Sequence, residues 1–461
     1  MNKQNEIMLR GPLLRNIIFY TVPIMLTSVL QLLFNAADLV VVGRFCGSVS
    51  VAAVGATGAI TNLIINLFIG LSVGAGVTVA HALGAREHEA VFRTVHTALP
   101  AALISGIVLT AVGVCFSEAL LRLMDTPEDV LPLSSVYMRI YFGGITFTMI
   151  YNFCASILRA AGDTKSPLIF LTIAGVINVL LNIIFVTRLH MNVAGVALAT
   201  VISQGISAFL VVWAMMRRSD SCRFHPGKMR FYREPLLKMV RIGLPAGIQG
   251  SLFSISNVII QSSVNSFGSV LMSGNAAAAN IEGFVYVALN AFHQTTVNFI
   301  GQNVGAQQYK RVNKILWVCL GCATVLGIAL SAIACVFGPS LLSIYITDSA
   351  EAIDYGMMRL TIVCIPYFLC GLMDVSTGAL RGMGSSVAPM IISVLGVCGI
   401  RIGWICTIFQ IHRFHTPQSL FLSYPISWVI TFSLQLAVFL RIYHKRTASL
   451  SAQQGQPLQS L

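Results

Sequence analysis

Residues 168–186 read LIFLTIAGVINVLLNIIFV, nineteen residues without a charge. A helix rises 1.5 Å per residue, so about 20 such residues cross a hydrocarbon core ~30 Å thick. The run lacks the alternation of a membrane barrel strand, which leaves a helix as the reading. Its amides, Asn178 and Asn182, are four residues apart and share one face.

Similar runs occur at Leu99–Cys115, Val193–Met216 and Ile315–Phe337. The chain has 461 residues, 56% hydrophobic and 10% charged. A typical soluble protein carries about 25% charged residues. The predicted spans lie near 17–43, 51–80, 93–115, 136–158, 167–187, 193–216, 238–264, 276–301, 314–337, 357–380, 388–409 and 418–441. The first run is too long for the core of a signal peptide, so no cleavable leader is expected.

The net charge of +13 is unevenly spread. With the N-terminus in the cytoplasm, that side holds 22 of the 29 Lys and Arg. Arg217, Arg218, Arg223, Lys228, Arg230, Arg233, Lys238 and Arg241 cluster after span six. The other side holds Arg44, Arg122, Arg139, Arg188, Arg359, Arg401 and Arg413, several near or inside spans. Its loops after spans three and nine are acidic: Asp125, Glu128 and Asp129, then Asp348, Glu351 and Asp354. This is the positive-inside pattern of a multi-pass protein of the cell membrane with both termini cytoplasmic. It explains the basic charge without nucleic acid as a partner. Cys319 and Cys322 form a C-x-x-C without a second pair or a histidine cluster, so they read as packing residues and not a metal site.

The chain repeats itself at an offset near 221 residues. Pro23 falls on Pro245, Asn35 on Asn257 and Phe45 on Phe267. Gly84-Ala85 falls on Gly305-Ala306, and Met138-Arg139 on Met358-Arg359. The fold class expected is therefore all-α integral membrane. About twelve transmembrane helices form two parallel six-helix bundles related by a pseudo-twofold axis along the membrane normal. The expected domains are an N-terminal bundle (1–216), a basic linker (217–237), a C-terminal bundle (238–443) and a tail (444–461).

No G-x-x-x-x-G-K-[ST] loop is present, so ATP-driven pumping is not expected from this chain alone. No H-E-x-x-H, D-D-x-x-D or G-x-S-x-G motif supports an intramembrane enzyme. The loop Leu83-Gly-Ala-Arg-Glu-His-Glu-Ala90 does not match the G-x-x-x-D-R-x-G-R loop of major facilitators.

Pro23 is followed fifteen residues later by Asp38. Spans four and ten end in Leu158-Arg-Ala-Ala-Gly-Asp-Thr-Lys-Ser-Pro167 and Leu380-Arg-Gly-Met-Gly-Ser-Ser-Val-Ala-Pro389. Span five contributes Asn178-Val-Leu-Leu-Asn182. In this order, across nearly the whole chain, these segments resemble the MATE (multidrug and toxic compound extrusion) family. The resemblance implies a secondary multidrug exporter that exchanges H⁺ or Na⁺ for small amphipathic, often cationic drugs. It implies no cofactor beyond that ion, and a monomer in the lipid bilayer. A flippase or exporter of an amphipathic or lipid-linked metabolite in the same superfamily is the alternative.

Three carboxylates lie deep in predicted spans: Asp38, Glu282 and Asp374. Such a charge costs ~2.5–3.5 kcal/mol on insertion scales, so each is a functional candidate by default. Gln31, Asn35 and Asp38 share a face of span one and should look into the bundle. A low-dielectric setting favours the neutral form of a carboxyl group, which suits a reversible proton carrier. The same oxygens suit Na⁺, a hard cation.

The family resemblance implies that Asp38, Asn178, Asn182 and Thr200 form a cation site. Relatives can carry aspartate where this chain has Asn182, so the coupling ion stays open. In the second half, Glu282, Asn290 and Gln294 on span eight and Asn257 and Gln261 on span seven form polar rows with Asp374 on span ten. They are candidates for substrate or a second cation, and Glu282 and Asp374 equally for a structural pair. One family branch has an acid at the position of Cys370 and a glutamate in span seven, both absent here. Pro23 and Pro245 each remove a backbone donor mid-helix and are candidate hinges. Gly70, Gly74 and Gly76 on span two allow close packing or flexing.

Overall fold

The computed structural model describes residues 7–124, 126–346 and 349–453. Asp125, Asp348 and the end of the tail lie outside the described residues. Among the described residues, nine single helices, two bent pairs and one long polar helix follow in order. The nine are apolar and long enough to cross a membrane. They are Leu13–Phe45, Val49–Gly84, His88–Leu123, Lys165–Thr187, Asn192–Met216, Arg233–Asn265, Tyr309–Val336, Val387–Gln410 and Pro417–Ser449. Spans four and ten are bent pairs, Leu131–Gly143 with Ile145–Ala160 and Ala350–Cys364 with Tyr367–Gly382. Span eight, Ser269–Gly305, is as long as any but breaks the apolar pattern with its amides and Glu282. The last helix, Pro417–Gln453, runs well past the predicted end of span twelve into the tail.

The two bends, 46° and 43°, fall at corresponding points of the repeat. In span four the break is at Gly143-Gly144, and in span ten at Ile365-Pro366, after a π-turn over Leu360–Cys364. Pro366 has no N–H for the helical ladder, and a π-turn relieves the mismatch. Left-handed backbone positions recur with the same spacing. Gly47 (φ 88°) corresponds to Gly268 (φ 95°), Gly162 (φ 88°) to Gly384 (φ 80°) and Arg86 (φ 60°) to Gln307 (φ 56°). Glycine carries no penalty there, because it has no Cβ.

The chain groups into two compact units, Met1–Gly11 with Ile18–Ser254, and Pro12–Ile17 with Ile255–Leu461. The boundary falls inside span seven, so the first turns of Arg233–Asn265 pack within the first unit. The reason is a glycine crossing. Gly70 and Gly74 of span two meet Gly243 and Gly247 of span seven, backbone against backbone. A Cβ at Gly74 would overlap the Met239 carbonyl, and one at Gly247 the Leu67 carbonyl. Small residues four apart allow this approach.

The basic segment after span six is folded against the first unit. Arg218 donates to both Asp220 oxygens and stands 3.6 Å from Asp163. The His225 N–H donates to His96 Nε2 at 3.1 Å, and the Tyr232 N–H to Thr97 Oγ1 at 3.2 Å.

Candidate functional site

In the first unit, spans one, five and six converge on Asp38. A Cβ at Gly175 of span five would overlap the Phe34 ring of span one, so the two helices touch closely. Asn178 and Asn182, one and two turns further along, then reach span one. Asn182 Nδ2 donates to Asp38 Oδ1. The same nitrogen lies 3.2 Å from Asn178 Oδ1. Asn178 Nδ2 lies 3.4 Å from Thr200 Oγ1, and Thr200 is also within hydrogen-bonding reach of Asp38. The structure thus brings all four first-half candidates into one network. Asn182 is fully buried, yet its Oδ1 accepts no hydrogen bond among the described residues. No Lys, Arg or His pairs with Asp38 among those residues.

Gln31 and Asn35 are exposed, and Asp38 is half-buried. Two tyrosines that the sequence reading passed over, Tyr137 and Tyr141 of span four, stack at 6.2 Å and stand within electrostatic range of Asp38. Their i, i+4 spacing was the available signal.

In the second unit the six candidates separate. Glu282 is clamped by Arg359, whose Nε and Nη2 donate to its two oxygens at 2.9 and 2.7 Å. Arg359 Nη1 donates to Asn275 Oδ1 at 2.6 Å, and Asn275 Nδ2 to Gln261 Oε1 at 3.3 Å. Gln261 therefore joins the Glu282 group. Asp374, Asn290 and Gln294 form another. Asn290 bonds to Asp374, and Gln294 Nε2 donates to Asn290 Oδ1 at 3.2 Å. Arg381 acts on Asp374 electrostatically and stands 3.3 Å from His293 Nε2. A guanidinium only donates, so Nε2 accepts and the His293 proton sits on Nδ1. That proton goes to the Asp374 backbone carbonyl at 2.7 Å. Asn257 is exposed and in neither group. Pro23 and Pro245 lie inside helices that run unbroken, and Thr27 Oγ1 donates to the Pro23 carbonyl at 2.7 Å.

Arg359, Asn275, His293 and Arg381 were not singled out in the sequence. Arg359 was visible as a basic residue near a span edge and as the repeat counterpart of Arg139, and its pairing with Glu282 spans 77 residues.

The MatE family profile matches residues 23–184 and again 245–405, one copy in each half of the repeat. The chain belongs to the MatE family. Its members are membrane transporters and not enzymes, as the family resemblance implied. MatE relatives align along most of their length. The probable multidrug resistance protein YoeA of Bacillus subtilis is 28% identical over 84% of this chain and 85% of its own. The probable multidrug resistance protein NorM of Thermotoga maritima is 23% identical over 84% of each. A MATE crystallised in complex with MaL6 superposes with a TM-score of 0.90 at 21% identity, covering 97% of this chain and 100% of that one. At that identity the likeness shows the MATE fold. The all-α membrane architecture expected from the sequence is the one found, with nine to eleven apolar membrane-length spans among the described residues.

Proposed function

We propose that this MatE protein exports small amphipathic drugs by cation antiport, with Asp38, Asn178, Asn182 and Thr200 as the coupling site. The chain sits in the cell membrane as a monomer with both termini cytoplasmic. The main support is the Asp38 carboxylate. It lies on a membrane span with amide and hydroxyl partners and no basic one among the described residues. An acid in that setting is costly unless a mobile cation neutralises it. The buried, unsatisfied Asn182 Oδ1 adds an oxygen beside it. Carboxylate, amide and hydroxyl oxygens make the donor set that Na⁺ takes, and Asp38 alone can take H⁺.

In this reading the cation enters from outside, neutralises Asp38 and loosens its hold on Asn182. Span one then bends at Pro23, and the drug leaves. Span seven flexes at Pro245 in the same cycle. Exchange of one proton for one monovalent cationic drug moves no net charge. Only the pH difference then drives it, at ~1.4 kcal/mol per unit. A drug without net charge would also draw on the membrane potential, at ~2.3 kcal/mol per 100 mV.

The experiment is ethidium efflux from proteoliposomes under an imposed ΔpH or ΔNa⁺. Wild type should respond to one of the two gradients and Asp38→Asn to neither. Coupled efflux that survives in Asp38→Asn would remove the carboxylate from the mechanism.

A further inference from the structure

The membrane-embedded arginines of the second unit differ in one respect. Arg359 is paired with Glu282, and Asp374 acts electrostatically on Arg381. Arg401 of span eleven has no carboxylate in any ion pair among the described residues. It is 5% exposed. Its Nε donates to Ser427 Oγ at 3.0 Å. Its guanidinium carbon lies 4.1 Å from the centre of the Tyr424 ring and 5.7 Å from that of Trp428. Tyr367 closes the group, edge-on to Trp428 at 5.1 Å.

A guanidinium presents five N–H donors in a planar fork. Here one is used, and no described residue accepts from the two terminal nitrogens. Aromatic faces attract the cation but do not accept those hydrogen bonds in the plane of the fork. The fork matches a carboxylate or phosphate, which takes two parallel bonds from it. Tyr367 and Tyr424 are only half-buried, so the rings leave an approach to the cation. A positive charge retained inside a membrane span with no carboxylate partner among the described residues marks a functional candidate by default.

We propose that Arg401, with Ser427, Tyr424, Trp428 and Tyr367, recognises the anionic group of an amphipathic substrate. A carboxylate or phosphate lies on the fork, and the apolar body rests on the rings. The inference rests on the exporter reading above and narrows it. The preferred cargo is an amphipathic acid or zwitterion and not a simple lipophilic cation. A zwitterion also escapes the electroneutral limit on one-for-one exchange with a proton.

A matched pair of dyes tests this. Rhodamine 110 carries a free carboxyl group, and rhodamine 123 is its methyl ester. Binding to the full-length protein is measured by fluorescence anisotropy in phosphatidylcholine nanodiscs, and again with phosphatidylglycerol added. Wild type should bind the acid at least tenfold more tightly than the ester. Arg401→Gln should bring the two within twofold, and Arg401→Lys should fall between. Wild type without preference for the acid, or binding neither dye, overturns the proposal, and so does a preference that survives Arg401→Gln. A preference abolished by phosphatidylglycerol alone assigns the fork to lipid headgroups and overturns the solute reading. The wild-type ratio needs no variant to fold. Gradient-driven efflux of both rhodamines from proteoliposomes is recorded in parallel. Lost efflux with an intact acid preference counts against the exporter reading alone, and equal dye binding with intact efflux counts against the anion site alone.

Discussion

Arg359 holds Glu282 in a two-point clamp, with both partners buried on spans ten and eight of the same unit. The remaining Arg359 nitrogen, Nη1, donates to Asn275, and the guanidinium also lies 5.5 Å from the Phe421 ring and 5.4 Å from that of Tyr424. Both carboxylate oxygens accept from Arg359.

Removing one partner should therefore damage the fold before it damages transport. Breaking a buried pair costs about 3–5 kcal/mol, because the remaining charge is unpaired. Arg359→Met should lower detergent-solubilised thermal stability sharply. The double change Arg359→Met with Glu282→Met should recover most of it. A stable Arg359→Met protein with selectively lost efflux would instead place Glu282 in the transport path.

At the first-half site, Asn182→Ala removes the donor to Asp38. A hydrogen bond to a charged group contributes about 1.5–3 kcal/mol, and ~1.4 kcal/mol is a factor of ten. The apparent affinity for the coupling cation should shift by about 10–100-fold, with the fold intact. Efflux titrated against H⁺ or Na⁺ reads this directly, and an unchanged titration would exclude Asn182 from the site.

The glycine crossing makes a prediction with an internal control. Gly74→Val puts a side chain into the Met239 carbonyl, and backbone cannot step aside as a flexible side chain can. Overpacking of this kind costs about 1–3 kcal/mol. Gly58, in the same helix, has nothing near its missing Cβ, so Gly58→Ala should be neutral or stabilising. Thermal melts of the two variants should move in opposite directions or differ clearly. Equal melts would mean that the crossing contributes nothing to stability.

Cys222 lies in the segment between spans six and seven, and burial pushes its thiol up to about 12. A raised value leaves less thiolate at any given pH, and the thiolate is the reactive form. At pH 7.5 the folded protein should label with maleimide at Cys222 on the order of a thousandfold more slowly than the unfolded chain. Peptide mapping by mass spectrometry measures it. Fast labelling would mean that this segment opens readily.

Much of the molecule was legible before any coordinates. Span five announced a membrane helix through the absence of charge. The near-221 offset announced two matched halves, and left-handed turns such as Gly47 and Gly268 recur at that spacing. Asp38 stood out because a carboxylate in a span is costly. Such signals are local. Composition, helical period and repeat spacing are properties of the chain itself, and hydrocarbon forces their reading because every backbone group must be satisfied within the span.

What each charge does was decided only by the tertiary structure. Asp38 meets Asn182 across 144 residues, and Glu282 meets Arg359 across 77. In sequence, Glu282 and Asp38 looked alike, and so did Arg359 and Arg401. Folding gave Glu282 a guanidinium and left Asp38 without one, paired Arg359, and surrounded Arg401 with rings. Coulomb energy in a low-dielectric interior varies steeply over a few ångströms. The neighbour at that distance comes from a distant part of the chain, so only the packed helices distinguish a charge held in an ion pair from one without a counter-charge among the described residues.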